Sequence, residues 1–300
     1  MPARTPPPPP PHLYFVVSAV FHYLGPSFAV LLFARVEMLG VAWLRIASAA
    51  VVFAIWRRPW RTWTRLDTST QRLLIAWGMV LAAMNCCFYE AISELPLGTV
   101  AAIEFLPVVA LAAVGARTPR NYAALVLAVA GVYELSHVQL TAEPAGLAFA
   151  FANAALFATY IVLAHRTARL PAVSGIDGLA AAMLIAAVVV TPFAGLPAAK
   201  ALGDPIALLA GVGVGICSSV IPYVTDQLAM AQLSRPAYSL MVSLLPAIAT
   251  LVGVVVLAQL PSIAELVGVA LVIGGVALHR DLDHQARSRH RTSSEEYRRA

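Results

Sequence analysis

Two charged side chains, Arg45 and Glu104, lie deep inside long apolar stretches of this chain. A charge in hydrocarbon costs about 2.5–3.5 kcal/mol on insertion scales, so each of these residues needs a partner or a task. Each lies about seven residues from the predicted outer end of its stretch, or roughly 10 Å along a helix. Equal depth predicts a buried ion pair. That pair either holds two helices together or opens when Glu104 takes up a proton or an ammonium group.

Other polar residues inside the apolar stretches are fewer. His22 stands beside Pro26 and is expected either to bond a neighbouring carbonyl or to relay protons, since the ordinary pKa of a histidine side chain lies near neutrality. Asp226 lies toward the predicted cytoplasmic end of its stretch, as a solvated helix end or as part of a polar pathway. The three cysteines lack metal-ligand spacing, so no metal or other cofactor is expected. They are Cys86, Cys87 and Cys217.

The stretches that must position these side chains dominate the composition. Hydrophobic residues make up 60% of the sequence and charged residues 12%, whereas soluble proteins are nearer half and a quarter. A bilayer crossing needs about 20 apolar residues, and continuous apolar runs favour helices over a barrel. The sequence predicts an all-α membrane protein with ten transmembrane helices. The predicted spans are 13–34, 38–56, 73–94, 97–116, 121–138, 145–164, 176–196, 206–231, 237–258 and 263–279.

The basic residues are distributed unevenly between these spans. Of the 20 Lys and Arg residues, 17 lie on the N-terminal side, in alternate gaps or in the C-terminal tail, and only Arg35 and Lys200 lie in the other gaps. Cytoplasmic loops carry the excess of Lys and Arg, so both termini are predicted to be cytoplasmic. A net charge of +5 therefore indicates orientation in the bilayer, and no nucleic-acid partner is expected.

An internal duplication is suggested by Leu106-Pro107 in the fourth span and Leu245-Pro246 in the ninth. Five spans is an odd number, so a second copy must be inverted, and inverted repeats are a common plan of transporters. The predicted organisation has four parts, at 1–12 (a proline-rich cytoplasmic tail), 13–138 (the first five-helix repeat), 145–279 (the second) and 280–300 (a charged cytoplasmic tail).

Glycine and proline inside the spans are expected to shape the helices. Gly211, Gly213 and Gly215 favour close helix packing over a phosphate-binding loop, since no strand precedes them. A proline within a span removes a backbone hydrogen bond. The five intramembrane prolines therefore mark either packing kinks or exposed carbonyls on a transport path. They are Pro26, Pro107, Pro192, Pro222 and Pro246.

Several segments resemble the threonine/homoserine exporter branch of the EamA family, in the drug/metabolite transporter superfamily. The most specific is 85–107, with Pro-Leu-Gly at 96–98 followed by Ile-Glu-Phe at 103–105 and Pro107. Further similar segments are 43–45, 158–166, 178–183 and 218–223. The resemblance implies a ten-helix carrier in two inverted repeats that exports small amino acids or related metabolites, driven by protons.

The matching segments also supply candidate pathway residues. These are Asn85, Tyr89, Tyr160 and Tyr223. The tyrosines are expected to line a cavity as amphipathic walls or to serve ordinary packing. The branch usually has glutamates in the second repeat where this chain has Leu245 and Gln259. Any proton site is therefore predicted in the first repeat, on Glu104.

The function predicted from the sequence is secondary transport in the inner (plasma) membrane. We expect proton-driven export of a small, threonine- or homoserine-like amino acid or a related polar metabolite. Uncoupled facilitation of another metabolite or drug is the alternative. An intramembrane enzyme is a remote alternative, because no Ser-His, paired-Asp or His-metal set occurs at compatible depths. The expected partners are a small-molecule substrate and the lipid bilayer.

Overall fold

The computed structural model describes residues 11–115, 118–139, 143–168, 170, 173–225 and 244–278. All regular structure in these residues is helical. The helices are α1 Pro11–Leu32, α2 Met38–Arg57, α3 Pro59–Trp63, α4 Thr68–Glu94, α5 Leu97–Gly115, α6 Pro119–Gln139, α7 Pro144–Ala168, α8 Gly175–Leu202, α9 Pro205–Gly215, α10 Leu245–Leu257 and α11 Ile263–Leu278. Helix α9 continues through a π-helical turn, Ile216–Val220, as far as Thr225.

Six described helices are long and apolar enough to cross a bilayer, and shorter apolar helices accompany them. The six are α1, α2, α4, α7, α8 and the extended α9. This confirms the predicted all-α membrane fold. The count of ten spans and their inverted repeat stay predictions. Parts of the eighth and ninth predicted spans, and both predicted tails apart from Pro11 and His12, lie outside the described residues.

The neighbours of each helix determine which side chains can meet. Helix α2 packs on α8, α9 and α4, whereas α5 packs on α6, α7, α10 and α11. The most extensive contacts join α6 to α11, α4 to α7 and α2 to α8. Helix α1 lies against α9 and α10. The polar residues of α2 and of α5 therefore face different sets of helices, although they lie at similar predicted depth.

A glycine allows α9 to approach α2 closely. A β-carbon built on Gly215 would lie 2.7 Å from the main-chain oxygen of Arg45 and would overlap the Ser48 hydroxyl. Gly211 meets the Leu44 side chain in the same way, while nothing lies within 4 Å of a β-carbon at Gly213. Close packing is therefore confirmed at two of the three glycines, and it fixes the backbone that carries Arg45.

We expect Gly215→Ala to destabilise the protein by about 1–3 kcal/mol, the usual cost of overpacking a filled interior. The backbone of α2 cannot yield as a flexible side chain would. Gly213→Ala is the matched control on the same helix and should cause no loss. Thermal unfolding of both variants in detergent measures the difference. Equal melting temperatures for the two variants would show that α2 and α9 are not in close contact.

Candidate functional site

Arg45 is buried in the middle of α2, with only 7% of its surface exposed. Its guanidinium donates from Nε to the Ser219 hydroxyl at 3.1 Å and from Nη2 to the main-chain oxygen of Ser218, also at 3.1 Å. The guanidinium carbon lies 5.6 Å from the ring centroid of Tyr89, on α4. The arginine is thus held by α9 and by an aromatic face, and its positive charge has no carboxylate partner among the described residues.

The Ser218 carbonyl is available to Arg45 because of a proline. In an α-helix this oxygen would accept from the N–H four residues later, at position 222, and Pro222 has no N–H. The chain also widens into the π-helical turn over Ile216–Val220. Such turns occur frequently at functional sites. Pro222 therefore leaves exposed the carbonyl that the arginine binds.

Glu104 is equally buried on α5, with 7% of its surface exposed. Its Oε1 accepts a hydrogen bond of 3.2 Å from Nδ2 of Asn153, a fully buried residue of α7. The fully buried Tyr23 of α1 lies near Glu104. No basic side chain forms an ion pair with Glu104 in the described structure. A proton or a cation that binds this carboxyl group would therefore remove the free-energy cost of a buried negative charge.

The predicted ion pair between Arg45 and Glu104 is wrong. Within the described residues, ion pairs join Arg57 to Asp177 at 2.8 Å and Arg35 to Asp204 at 3.0 Å. Matched depth was insufficient evidence, because α2 and α5 have different principal neighbours. The two charges remain close enough to influence each other electrostatically, and each is held instead by neutral groups.

Two buried polar atoms without a hydrogen bond of normal geometry lie beside Arg45 and Glu104. The Tyr89 hydroxyl and Oδ1 of Asn153 are buried, and neither makes a hydrogen bond of normal geometry, although Arg45 and Ser218 lie beside the hydroxyl. Nε1 of Trp77, nearer the start of α4, also lacks a partner. Buried polar groups without partners are rare in native structures. The Tyr89 hydroxyl is thus a donor available beside the Arg45 guanidinium, and Oδ1 of Asn153 is an acceptor available beside the Glu104 carboxyl.

The other predicted site residues have varied surroundings. Asn85 is buried, but its Nδ2 donates to Leu81 O of its own helix at 2.8 Å. His22 is partly buried and lies near Arg45, and its ring meets Tyr23 edge-on at 5.2 Å. The predicted hydrogen bond from His22 to a carbonyl is not found in the described structure.

Two of the predicted tyrosines pack against an apolar cluster. Tyr160 and Tyr223 pack against the apolar cluster that includes Trp77. Tyr160 also stacks on Phe157, with ring centroids 6.1 Å apart. Asp226 lies outside the described residues. Of the candidates, Arg45 and Tyr89 are in direct contact, and His22 lies nearby.

Sequence reasoning did not assign site roles to Ser218, Ser219, Asn153 or Tyr23. A signal existed for Ser218, since a proline four residues later frees its carbonyl. Asn153 and Tyr23 gave no comparable signal, because single uncharged polar residues are common in membrane helices. The described residues contain no cluster of His, Cys, Asp or Glu suited to a metal ion. The buried guanidinium of Arg45 and the buried carboxyl of Glu104 suit a small molecule that carries one negative and one positive charge.

We expect Ser219→Ala to reduce activity roughly tenfold or more, since a hydrogen bond to a charged group contributes about 1.5–3 kcal/mol. Ser218→Ala is the matched control, because Ser218 binds Arg45 through its main-chain oxygen and its hydroxyl donates to Val214 O of α9. Initial rates of substrate exchange in proteoliposomes measure both variants. Equal losses in the two variants would contradict the bond from Arg45 to the Ser219 hydroxyl.

Comparison with known proteins identifies the family. The EamA-like transporter family matches residues 144–280. The threonine/homoserine exporter RhtA of Escherichia coli (strain K12) is 32% identical over 78% of this chain and 79% of its own length. The same exporter of Salmonella typhimurium (strain LT2) is 31% identical over the same shares. A solved crystal structure superposes with a TM-score of 0.54 at 20% identity, over 89% of this chain and 96% of that one, which shows a shared fold alone.

These relatives and the apolar helices agree with a multi-pass membrane protein that transports a small molecule. The prediction of a transporter and not an enzyme is confirmed, since the family and the relatives are transporters. The resemblance seen in the sequence is confirmed as well, over most of the chain. This protein belongs to the EamA-like transporter family.

Proposed function

We propose that this protein exports a small zwitterionic amino acid, of the threonine or homoserine kind, across the inner (plasma) membrane in exchange for protons. The observation that carries the proposal is the separation of Arg45 from Glu104. Both are buried and neither neutralises the other. A zwitterion supplies an anion for the first and a cation for the second. The two exporters named above support the choice of amino acid.

The unfilled polar atoms fit the same substrate. The substrate carboxylate binds Arg45, where the Tyr89 hydroxyl offers a further donor. The substrate ammonium binds Glu104, where Oδ1 of Asn153 offers a further acceptor. Charge-assisted hydrogen bonds of this kind are roughly twice as strong as neutral ones. Each half of the amino acid thus meets one charge and one neutral group.

Proton coupling is assigned to Glu104. Its carboxyl group binds the substrate ammonium in one step and a proton in another, so that either cation removes the cost of a buried negative charge. In the second repeat, Gln259 is not ionisable and its Oε1 accepts from the Leu97 N–H at 3.2 Å, at the start of α5. Leu245 is apolar. The first repeat therefore carries the proton site in this proposal.

The proposed architecture is ten spans in two inverted five-helix repeats, 13–138 and 145–279. The helix contacts support it. Helices α2 and α8, α5 and α10, and α6 and α11 pack together, and each pair would be repeat counterparts. Three further contacts have counterparts in the other repeat. The contact of α4 with α7 corresponds to that of α9 with α1, the contact of α4 with α8 to that of α9 with α2, and the contact of α5 with α7 to that of α10 with α1. The EamA match, 144–280, covers the second repeat.

The proposed orientation places both termini in the cytoplasm, on the strength of the uneven basic residues. Reporter fusions after Arg65 and after Arg169 should then report the cytoplasm. Fusions near Thr141 and Leu202 should report the outer side. One inverted result would break the ten-span arrangement.

Substrate identity is tested by counterflow into proteoliposomes that contain the purified protein. Preloaded unlabelled threonine should drive uptake of labelled threonine or homoserine. The amino alcohol and the hydroxy acid of the same skeleton, each lacking one charge, should compete at least tenfold less well. Competition by either analogue that equals threonine would refute the zwitterion site. Absence of threonine counterflow, with flux of another metabolite, would favour the facilitative alternative.

A further inference from the structure

A groove separates the short helix α3 from the middle of α8. It forms because α2 ends at Arg57 and the next residue, Arg58, has a φ of 50°, in the left-handed region that bulky residues rarely adopt. Pro59 then starts α3 in a new direction, against α8. The groove has a volume of about 390 Å³. Its lining consists of Pro59, Trp60, Trp63, Thr64, Ala181, Leu184, Ile185, Val188 and Val189.

The groove is apolar and opens toward the surroundings of the helix bundle. Its walls are aliphatic and aromatic apart from Thr64. Val188 is 67% exposed and Trp60 is 52% exposed, so neither is covered by another part of the described protein. Tryptophan is enriched at the level of lipid headgroups. An aliphatic chain from the bilayer, with its end near the tryptophans, matches this shape and chemistry.

The end of the groove at α3 carries free positive charge. Arg58, Arg61 and Arg65 are exposed and form no ion pair with any described residue. Arg57 differs, since it is paired with Asp177 and lies 5.5 Å from the Trp56 ring. Three unpaired arginines in the same short segment as Trp60 and Trp63 attract an anionic group. The apolar walls and the cationic rim formed by these three arginines together match one amphipathic anion.

We propose that α3 and α8 form a binding site for one anionic phospholipid. One acyl chain lies in the groove between Trp63 and Val188, and the headgroup phosphate binds Arg58 and Arg61. The site is separate from Arg45 and Glu104, so the proposal is independent of the transported substrate. It gives a function to the turn at Arg58, which directs α3 back onto α8.

The test uses the purified full-length protein in detergent, with phosphatidylglycerol or phosphatidylcholine of identical acyl chains added. Native mass spectrometry counts the lipids retained, and thermal unfolding measures the stabilisation. The wild type should retain one phosphatidylglycerol in preference to phosphatidylcholine and should melt at higher temperature with it. Equal retention of the two lipids would overturn the proposal, because the rim would then not recognise charge.

Two test variants, each with a matched control, locate the site. Arg58→Gln with Arg61→Gln should weaken phosphatidylglycerol binding about 30-fold, since each basic residue near an anionic lipid contributes roughly fivefold. Arg166→Gln, an exposed arginine on α7 outside the groove, is the charge control and should have little effect. Val188→Trp should fill the groove and displace the lipid. Val126→Trp, at a residue equally exposed at 67% on α6, should not.

Each outcome decides the matter. Loss of binding in the rim and groove variants alone supports the site. Unchanged binding in the double arginine variant, or equal loss in Val126→Trp, refutes it. If a variant fails to fold, the lipid preference of the wild type still tests recognition of charge. Retention of a second copy of the protein in place of a lipid would also refute the proposal.

Discussion

Replacing Arg45 with methionine is expected to reduce transport roughly 30-fold or more and to leave the protein folded. Truncating one partner of a buried charge contact costs about 2–5 kcal/mol, and Arg45 is the residue proposed to bind the substrate carboxylate. The fold should survive, because the variant removes a buried charge that has no carboxylate partner. The main-chain oxygen of Ser218 would lose its donor in this variant, which lowers the stability by about 1–3 kcal/mol and partly offsets that gain. Exchange rates and thermal unfolding measure the two effects separately.

Arg45→Lys is the matched control for charge. Lysine keeps the positive charge but cannot bond the Ser218 oxygen and the Ser219 hydroxyl with one planar fork. We expect activity between that of the wild type and that of Arg45→Met. Full activity in Arg45→Met would show that the arginine only joins α2 to α9.

Glu104→Gln is expected to abolish substrate accumulation driven by a pH gradient. Exchange across the membrane should continue but with weaker substrate binding, because the neutral amide replaces the charge-assisted bond to the ammonium. Glutamine keeps the size of the side chain and an oxygen for Asn153, but it cannot bind and release a proton. The variant should fold without any change at Arg45, because the arginine takes its hydrogen bonds from α9. If Glu104→Gln alone lowered the yield of folded protein and adding Arg45→Met restored it, the result would instead indicate an ion pair between the two residues.

Asp226→Asn provides the comparison for Glu104→Gln. The sequence places this carboxylate near cytoplasmic water, in a segment outside the described residues. Gradient-driven accumulation should therefore persist in the Asp226 variant. Loss of accumulation there, with full accumulation in Glu104→Gln, would move the proton site to the second repeat.

Arg45 and Glu104 show what the sequence could and could not predict. Burial of both followed from charge inside apolar runs, and the structure bears it out. Their pairing did not follow, because sequence spacing gives the depth of a residue along its helix and not which helices are neighbours. The neighbours depend on close contacts such as Gly215 against the Arg45 carbonyl. Only a three-dimensional structure shows those contacts.

The partners of the two charges differ in how readily they could have been found. The Ser218 carbonyl is a direct consequence of Pro222 and could have been read from the spacing of four residues. Asn153 could not, because nothing in the sequence relates α7 to Glu104 on α5. Tyr89 was identified from the family resemblance, and its place under the Arg45 guanidinium is a finding of the structure.

The central claim, exchange of an amino acid for protons, is tested by threonine accumulation in wild-type proteoliposomes with the membrane potential clamped at zero. A lumen one pH unit more acidic than the medium supplies about 1.4 kcal/mol per proton, enough for tenfold accumulation at one proton per substrate. The account predicts that threonine concentrates inside toward that ratio and that the gradient dissipates faster when threonine is present. Equilibration at equal concentrations on both sides, with no effect on the pH gradient, would contradict it.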